Sequence, residues 1–187
     1  MVHSNKLEGI GLVSYLKMRR QMMKEACRIN NLTWQDAWGK PEPAPGTENF
    51  ENLLPGPEAA MQIHDLRHQD LGRAAATLQF GERYPGLLTG QNTNRINLTV
   101  PAGRVIGING LCQHSANPQI VEVDVVIGGR QARWWMVRPG QSEINDQMYF
   151  YDPIIVPGTK TFNIDFWMAT AQTEFVTFLG LYAEPKA

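Results

Sequence analysis

Alternation of apolar and polar residues dominates the C-terminal half of the chain. Over Gln119–Arg138 (QIVEVDVVIGGRQARWWMVR), Val121, Val123, Val125 and Ile127 fall on one parity, and Ile120, Glu122, Asp124 and Val126 on the other. A strand sends successive side chains to opposite faces, so this run predicts a strand with one apolar and one mixed face. Gly128-Gly129 supplies the positive φ angles of a two-residue hairpin turn. Such a turn sets an expected register, with Ile127 opposite Arg130, Val125 opposite Ala132, Val123 opposite Trp134 and Val121 opposite Met136. On the other face it sets Asp124 opposite Arg133 and Glu122 opposite Trp135. Trp134 is thereby expected in the core and Trp135 outside it.

Further strands follow from the same pattern. Gly81, Pro85-Gly86, Gly90, Pro101 and Gly103 punctuate the chain from Thr77 onward. Between and beyond them lie Ile96–Val100, Val105–Leu111, Met148–Tyr151, Ile154–Val156, Thr161–Met168 and Phe175–Tyr182. In Thr161–Met168 the residues Phe162, Ile164, Phe166 and Met168 share the apolar face. Pro153 and Pro157 bracket a three-residue run that suits an edge strand or one that changes sheets. Phe175–Tyr182 is apolar on both faces, which predicts a central strand or one covered by another subunit. Short strands with regular turn signals and no helices between them predict a mainly β fold, a single antiparallel β-sandwich over residues 77–187. About 110 residues bury a workable core without metal or disulfide.

The N-terminal pattern is helical. Leu12, Tyr15, Leu16, Met22, Met23 and Ala26 recur near helical spacing within residues 7–29, with Lys17, Arg20, Lys24 and Arg28 on other faces. Asn30-Asn31 is a stop signal, and Thr33 with Asp36 has the form of an N-cap and its acidic N3 residue opening a short helix through Trp38. Residues 1–40 thus read as a basic helical arm. Residues 41–57 hold Pro41, Pro43, Pro45, Pro55 and Pro57 and read as an extended linker. Pro57-Glu58 opens a second expected helix within residues 58–76, with a thin stripe of Ala59, Ile63 and Leu66.

Composition alters this picture in one respect. The 187 residues are 43% hydrophobic and 19% charged, an ordinary globular balance with a net charge of −1. That near-zero total hides an uneven layout. Residues 1–28 carry Lys6, Lys17, Arg19, Arg20, Lys24 and Arg28 against Glu8 and Glu25, a net +4. Residues 29–70 carry Lys40 and Arg67 against Asp36, Glu42, Glu48, Glu51, Glu58, Asp65 and Asp70, a net −5. A basic arm followed by an acidic stretch points to electrostatic contacts, with a partner or with each other.

Candidate chemistry is sparse. The cysteines, Cys27 and Cys112, are far apart and form neither a disulfide framework nor a zinc-binding pair of CxxC motifs. A reducing compartment is expected, with no signal peptide and no membrane span. His64 and His68, at i and i+4 on the expected helix, have zinc-ligand spacing but no third ligand, and read better as solvated surface histidines. Cys112 and His114 could form a nucleophile–base pair, but a buried thiol beside a loop histidine is the favoured reading. The two Asn-x-Thr glycosylation acceptors, at Asn31 and Asn97, carry no weight without a secretory signal. No catalytic role, metal or cofactor is assigned. The dispersed arm charges disfavour a membrane surface, and the slightly acidic chain disfavours nucleic acid, leaving a docking arm.

The segments Asn97–Asn109 (NLTVPAGRVIGIN), the Gly-Gly hairpin, Asp152–Lys160 (DPIIVPGTK) and Phe178–Tyr182 (FLGLY), within about the last 90 residues, resemble the jelly-roll proteins that decorate or cement the capsids of tailed bacteriophages. The resemblance implies a virion structural protein, made in the host cytoplasm, that is not an enzyme. It also implies a sandwich that trimerises and an arm that grips the major capsid protein or another virion protein. Expected contact residues are Arg19, Arg20, Met22, Met23 and Lys24 of the arm, with Trp135, Phe175, Phe178, Leu181 and Tyr182 of the sandwich. The alternative is a carbohydrate- or receptor-binding module, of the tail-fibre or attachment kind, using Trp135 as a stacking platform.

Overall fold

The structure, a computed structural model, describes residues 9–73, 82–136 and 147–186; for residues 9, 10, 131–136, 147 and 151 it describes the backbone only. Among the described residues, helix α1 (Gly9–Asn30) and a short α2 (Trp34–Trp38) precede nine strands. These are β1 (Met61–Asp65), β2 (Glu82–Leu87), β3 (Gly90–Thr99), β4 (Val105–Gln113), β5 (Ile120–Ile127), β6 (Arg130–Met136), β7 (Gln147–Pro157), β8 (Thr161–Met168) and β9 (Gln172–Pro185). All pairings are antiparallel and form two sheets. Sheet A runs β1-β9-β4-β7, with β2 also on β9; sheet B runs β3-β8-β5-β6. The expected mainly β sandwich with an N-terminal helix is what forms.

The long last strand organises sheet A. One edge of β9 pairs with β4 from Val176 to Ala183, and the other carries β1 at Leu181–Pro185 and β2 at Gln172–Val176, end to end. Between the sheets lies one core, with Phe162, Ile164 and Phe166 of β8 and Val123 and Val125 of β5 facing Ile106, Ile108, Phe178 and Tyr182 of sheet A. A second core lies on the outer face of sheet A, where Met18, Met22, Met23 and Ala26 of α1 and Trp38 of α2 pack on Val105, Leu181, Ala183 and Met61. Every residue of β4 is buried because both of its faces are covered. The two apolar faces of β9 have the same cause, and the covering helix belongs to the same chain.

Close approach makes that roof possible. A Cβ on Gly107 would overlap Met22 Sδ and stand 3.0 Å from Met18 Cγ. Ser14 Oγ donates to Phe150 O, and Asn30 Nδ2 reaches Gly103 O at 2.9 Å, fixing the two ends of α1 on the sheet. Asn31 ends the helix at φ 53°. Thr33 then caps α2, accepting from Asp36 N–H at 3.1 Å as the sequence predicts.

Three expectations require correction. The hairpin turn is correct, with Gly128 and Gly129 at φ 59° and 76°, and Ile127 pairs with Arg130. A bulge then intervenes between Val125 and Val126, so Val125 meets Arg133, Asp124 meets Trp134 and Val123 meets Trp135. The extra residue is Ala132, and it exchanges the register positions of the two tryptophans. Next, residues 58–76 do not begin with a helix. Met61–Asp65 is an edge strand on β9 and His68–Leu71 a single 3-10 turn. Pairing to β9 satisfies this backbone, and the i, i+4 stripe had only three apolar members. Lastly, the Pro-rich segment is extended as expected but wraps the helices instead of separating them. Trp38 Nε1 donates to Met23 O at 3.2 Å, Arg19 Nε to Leu53 O at 2.8 Å and Gly56 N to Trp38 O at 2.7 Å. Residues 77–187 alone would lack β1 and expose the outer face of sheet A.

Replacing Gly107 with valine should force α1 away from the sheet and destabilise the protein by about 1–3 kcal/mol, the usual cost of overpacking. Urea unfolding of the full chain measures this. An unchanged midpoint would mean that the helix does not rest on β4.

Candidate functional site

Most of the expected arm contacts fall inside the protein, and Lys24 stays exposed. Met22 and Met23 are fully buried in the second core, and Arg19 is only 6% exposed, its Nη1 donating to Tyr15 Oη at 2.8 Å. Arg20 pairs with Glu48 and with Glu42 at 3.0 Å, and Lys24 meets the same Glu42 at 2.9 Å. Lys24 and Arg20 together hold the Glu42 carboxyl below its ordinary pKa. Arg20 and Lys24 of the basic arm are therefore neutralised by Glu42 and Glu48 of the acidic stretch after it. Phe178, Leu181 and Tyr182 are buried within the chain, and Phe175 is half-buried. The side chain of Trp135 lies outside the described residues; its backbone pairs with Val123.

The histidines move with the loss of the expected helix. His64 sits on β1 against the Tyr182 ring, 3.8 Å from Asp70 and 3.6 Å from Glu184. His68, in the 3-10 turn, lies 4.0 Å from Glu82. Their side chains are 20% and 25% exposed, so neither is the solvated surface histidine expected. Burial pushes the His68 imidazole below its ordinary pKa, against the opposing pull of the Glu82 carboxylate. Cys112 is buried with its Sγ 3.8 Å from His114 Nδ1, and His114 Nε2 lies 3.0 Å from Thr177 Oγ1. Burial raises the Cys27 thiol, which keeps it in the poorly nucleophilic form. The cysteines form no disulfide. Among the described residues no group of three His, Cys, Asp or Glu side chains is placed to hold a metal ion, and no helix is long and apolar enough to cross a membrane.

Three buried polar anchors escaped the sequence reading. Glu82 is 7% exposed and pairs with Arg73 at 3.0 Å, whose guanidinium lies 4.6 Å above the Tyr84 ring. Glu174, fully buried, accepts from Ser115 Oγ, from Gln119 N–H at 2.6 Å and from Gln172 Nε2 at 2.6 Å. Asn92, 3% exposed, brackets the β2–β3 turn: its Oδ1 accepts from Leu88 N–H at 2.9 Å and its Nδ2 donates to Leu88 O at 2.8 Å. For Glu174 a signal was available, because it shares parity with Val176 and Phe178 on β9. A carboxylate in phase with core residues needs buried donors.

Two exposed features remain. Along the outer stripe of α1 runs a groove of about 380 Å³, lined by Val13, Leu16, Lys17, Arg20, Gln21, Lys24 and, from the Pro-rich wrap, Glu48. The large apolar side chains left exposed among the described residues are Val13, Leu54 and Leu88, at 54%, 49% and 66%. On the other side of the molecule, the outward positions of sheet B carry Asn97, Asn163, Asp165 and Trp167. Asn97 pairs with Asn163, and Asp165 Oδ1 accepts from Asn94 N–H at 2.6 Å.

His68 gives a pH dependence of known sign. A lowered folded-state pKa means that the unfolded chain takes up the proton first as pH falls. The stability contribution is therefore complete above the unfolded value of about 6.5 and is lost as pH drops below it. Urea unfolding at pH 7.5 and pH 5 should show a larger loss for the wild type than for His68→Gln; equal losses would exclude His68 as the cause. Comparison with protein-family models, with curated proteins and with solved structures returned no match for this chain.

Proposed function

We propose that the protein is a structural component of a virus particle, a decoration or cement protein whose sandwich self-associates on a capsid shell. The observation that carries this reading is a sandwich bearing a helical layer bolted to one sheet by its own core. Such a layer presents a fixed surface, and presenting fixed surfaces is what a cement protein does. The burial of Met22 and Met23 changes how attachment is drawn. A free arm gripping the shell through them would first have to strip the outer face of sheet A. We assign the shell contact instead to exposed groups of the helical layer, chiefly Leu54 of the Pro-rich wrap and Arg28 of α1.

A second reading, a carbohydrate-binding module, is favoured by the outward face of sheet B. Amides and a carboxylate from Asn97, Asn163 and Asp165 share this face with the indole of Trp167, groups that bond sugar hydroxyls and stack on a pyranose ring. Trp167, and not Trp135, would be the platform.

One experiment separates the two. Purified protein is mixed with capsid shells lacking it, and occupancy is read after sedimentation beside a glycan-binding assay. Wild type should bind shells, and Leu54→Asp should lower shell affinity about tenfold or more with an unchanged melting temperature. Failure of the wild type to bind any shell would sink the cement reading. Glycan binding lost in Trp167→Ala would put the second in its place.

A further inference from the structure

We infer that the 3-10 turn His68–Leu71 is an acid-released latch: it lifts from the rim of sheet A when the His68 imidazole takes up a proton, while β1 stays paired to β9. This device does not depend on the role proposed above. The turn closes one side of the sandwich. On that edge of β9, β1 pairs only as far as Leu181 and β2 takes over at Val176, and the turn lies in the chain between them. Leu71 is buried in the core between the sheets, and a Cβ on Gly72 would stand 3.5 Å from Leu98 Cβ on β3. Lifting the turn would therefore uncover the middle of that edge and the Leu71 side of the core.

Little holds the turn down. Asp70 N–H donates to Arg67 O, Gly72 N–H to Gln69 O and Arg73 N–H to His68 O, each at 3.0 Å, and Asp70 Oδ2 accepts from Arg67 N–H at 2.8 Å. These bonds lie within the turn and would move with it. The chain on either side is anchored. Leu66 N–H donates to Gly180 O at 3.0 Å, and beyond Gly72 the Arg73 Nε and Nη2 donate to Glu82 Oε1 at 3.1 and 3.0 Å. A segment bonded mainly to itself between two fixed points opens more readily than the sheet it covers.

Charge supplies the trigger. His68 Nδ1 is buried with no hydrogen-bond partner among the described residues, and Glu82 Oε2 stands 4.0 Å away, beyond hydrogen-bond reach. The charged and titratable groups facing the ring are Glu82 of β2, Arg73 after the turn and His114 just past β4. Arg73 already neutralises that carboxylate. A proton on the seated ring would add a cation to a site withdrawn from water and already balanced. On the lifted turn the ring meets water and titrates near pH ~6.5. The lifted form thus takes up the proton first, so the latch is complete above about pH 6.5 and weakens below it. His64 acts in the opposite sense. It stacks on Tyr182 with Asp70 at 3.8 Å and Glu184 at 3.6 Å, and Glu184 also meets Arg104 at 3.4 Å. A proton on His64 lies between two carboxylates and draws β1 to β9. Its hold on the turn is weak, because Asp70 Oδ2 is beyond hydrogen-bond reach and already accepts from Arg67 N–H.

The test is hydrogen exchange of the full chain at pH 7.5 and pH 5.5, read by mass spectrometry and expressed as protection factors. In the wild type, peptides covering residues 66–73 should lose protection by up to about tenfold at pH 5.5, where an imidazole in water is about nine-tenths protonated. Residues 105–113 of β4 should keep theirs. His68→Gln should hold its protection at both pH values, and His64→Gln should still open in acid, with melting temperature at pH 7.5 checking that each variant folds. The locality of the wild-type loss is a test that needs no variant: unchanged protection over 66–73, or an equal loss over 105–113, would overturn the latch. An acid opening that persists in His68→Gln, or that disappears in His64→Gln, would overturn the assignment of the trigger to His68.

Discussion

The seating of α1 on β4 through Met18, Met22 and Gly107 is the contact on which the rest of sheet A depends. Without a side chain at Gly107 the helix comes close enough for unbranched methionines to fill the gap, and methionine adapts well to an irregular floor. The same contact lets β4 and β9 be apolar on both faces, because the outer face has no water to meet. It also gives the Pro-rich segment its course, since the wrap follows the helix it hydrogen-bonds to, through Leu53 O, Pro43 O and Trp38 O.

Two consequences concern charge. Taken as a sequence, the N-terminal region looks like a cationic arm looking for an acidic surface. In the fold, much of that acidic surface is supplied by Glu42 and Glu48 of the following segment, with Asp152 of β7 reached by Lys17. These partly exposed pairs orient more than they stabilise. Glu82 and Glu174 differ, because each is almost wholly buried and each has its own set of donors. Removing those donors would leave a carboxylate in the interior, which costs far more than a surface pair is worth.

How much was legible depended on whether the deciding interaction was local. The Gly-Gly turn, the Thr33 cap, the stop at Asn31 and the inward set of Phe162, Ile164, Phe166 and Met168 are written in short windows, and all could be read. The β6 register was not, because a single extra residue at Ala132 leaves composition and periodicity untouched while shifting every later pair. β1 was not, because Met61–Asp65 becomes a strand by pairing with residues more than a hundred positions later. The two-faced β9 was read correctly as apolar on both sides, but the sequence had no means of naming the cover. At the candidate site, the charged and apolar candidates could be listed in advance, but the apolar groups that stay exposed, Val13, Leu54 and Leu88, were not among them. Which of the candidates point inward could not be read, since that follows from the roof.

The divided edge of β9 bears on how the protein is kept from the wrong kind of association. An exposed strand is a template: its unsatisfied amides and carbonyls invite any extended chain to add itself, copy after copy. Here that rim is built from β1, five residues long, and β2, six residues long, with a helical turn between them and a break in register within β2 at Tyr84–Leu87. A foreign strand arriving there finds no straight run longer than a few hydrogen bonds. Chains packed at high local concentration would thus be steered away from open-ended β-stacking along this rim, and whatever order they adopt there is left to side-chain contacts with defined geometry.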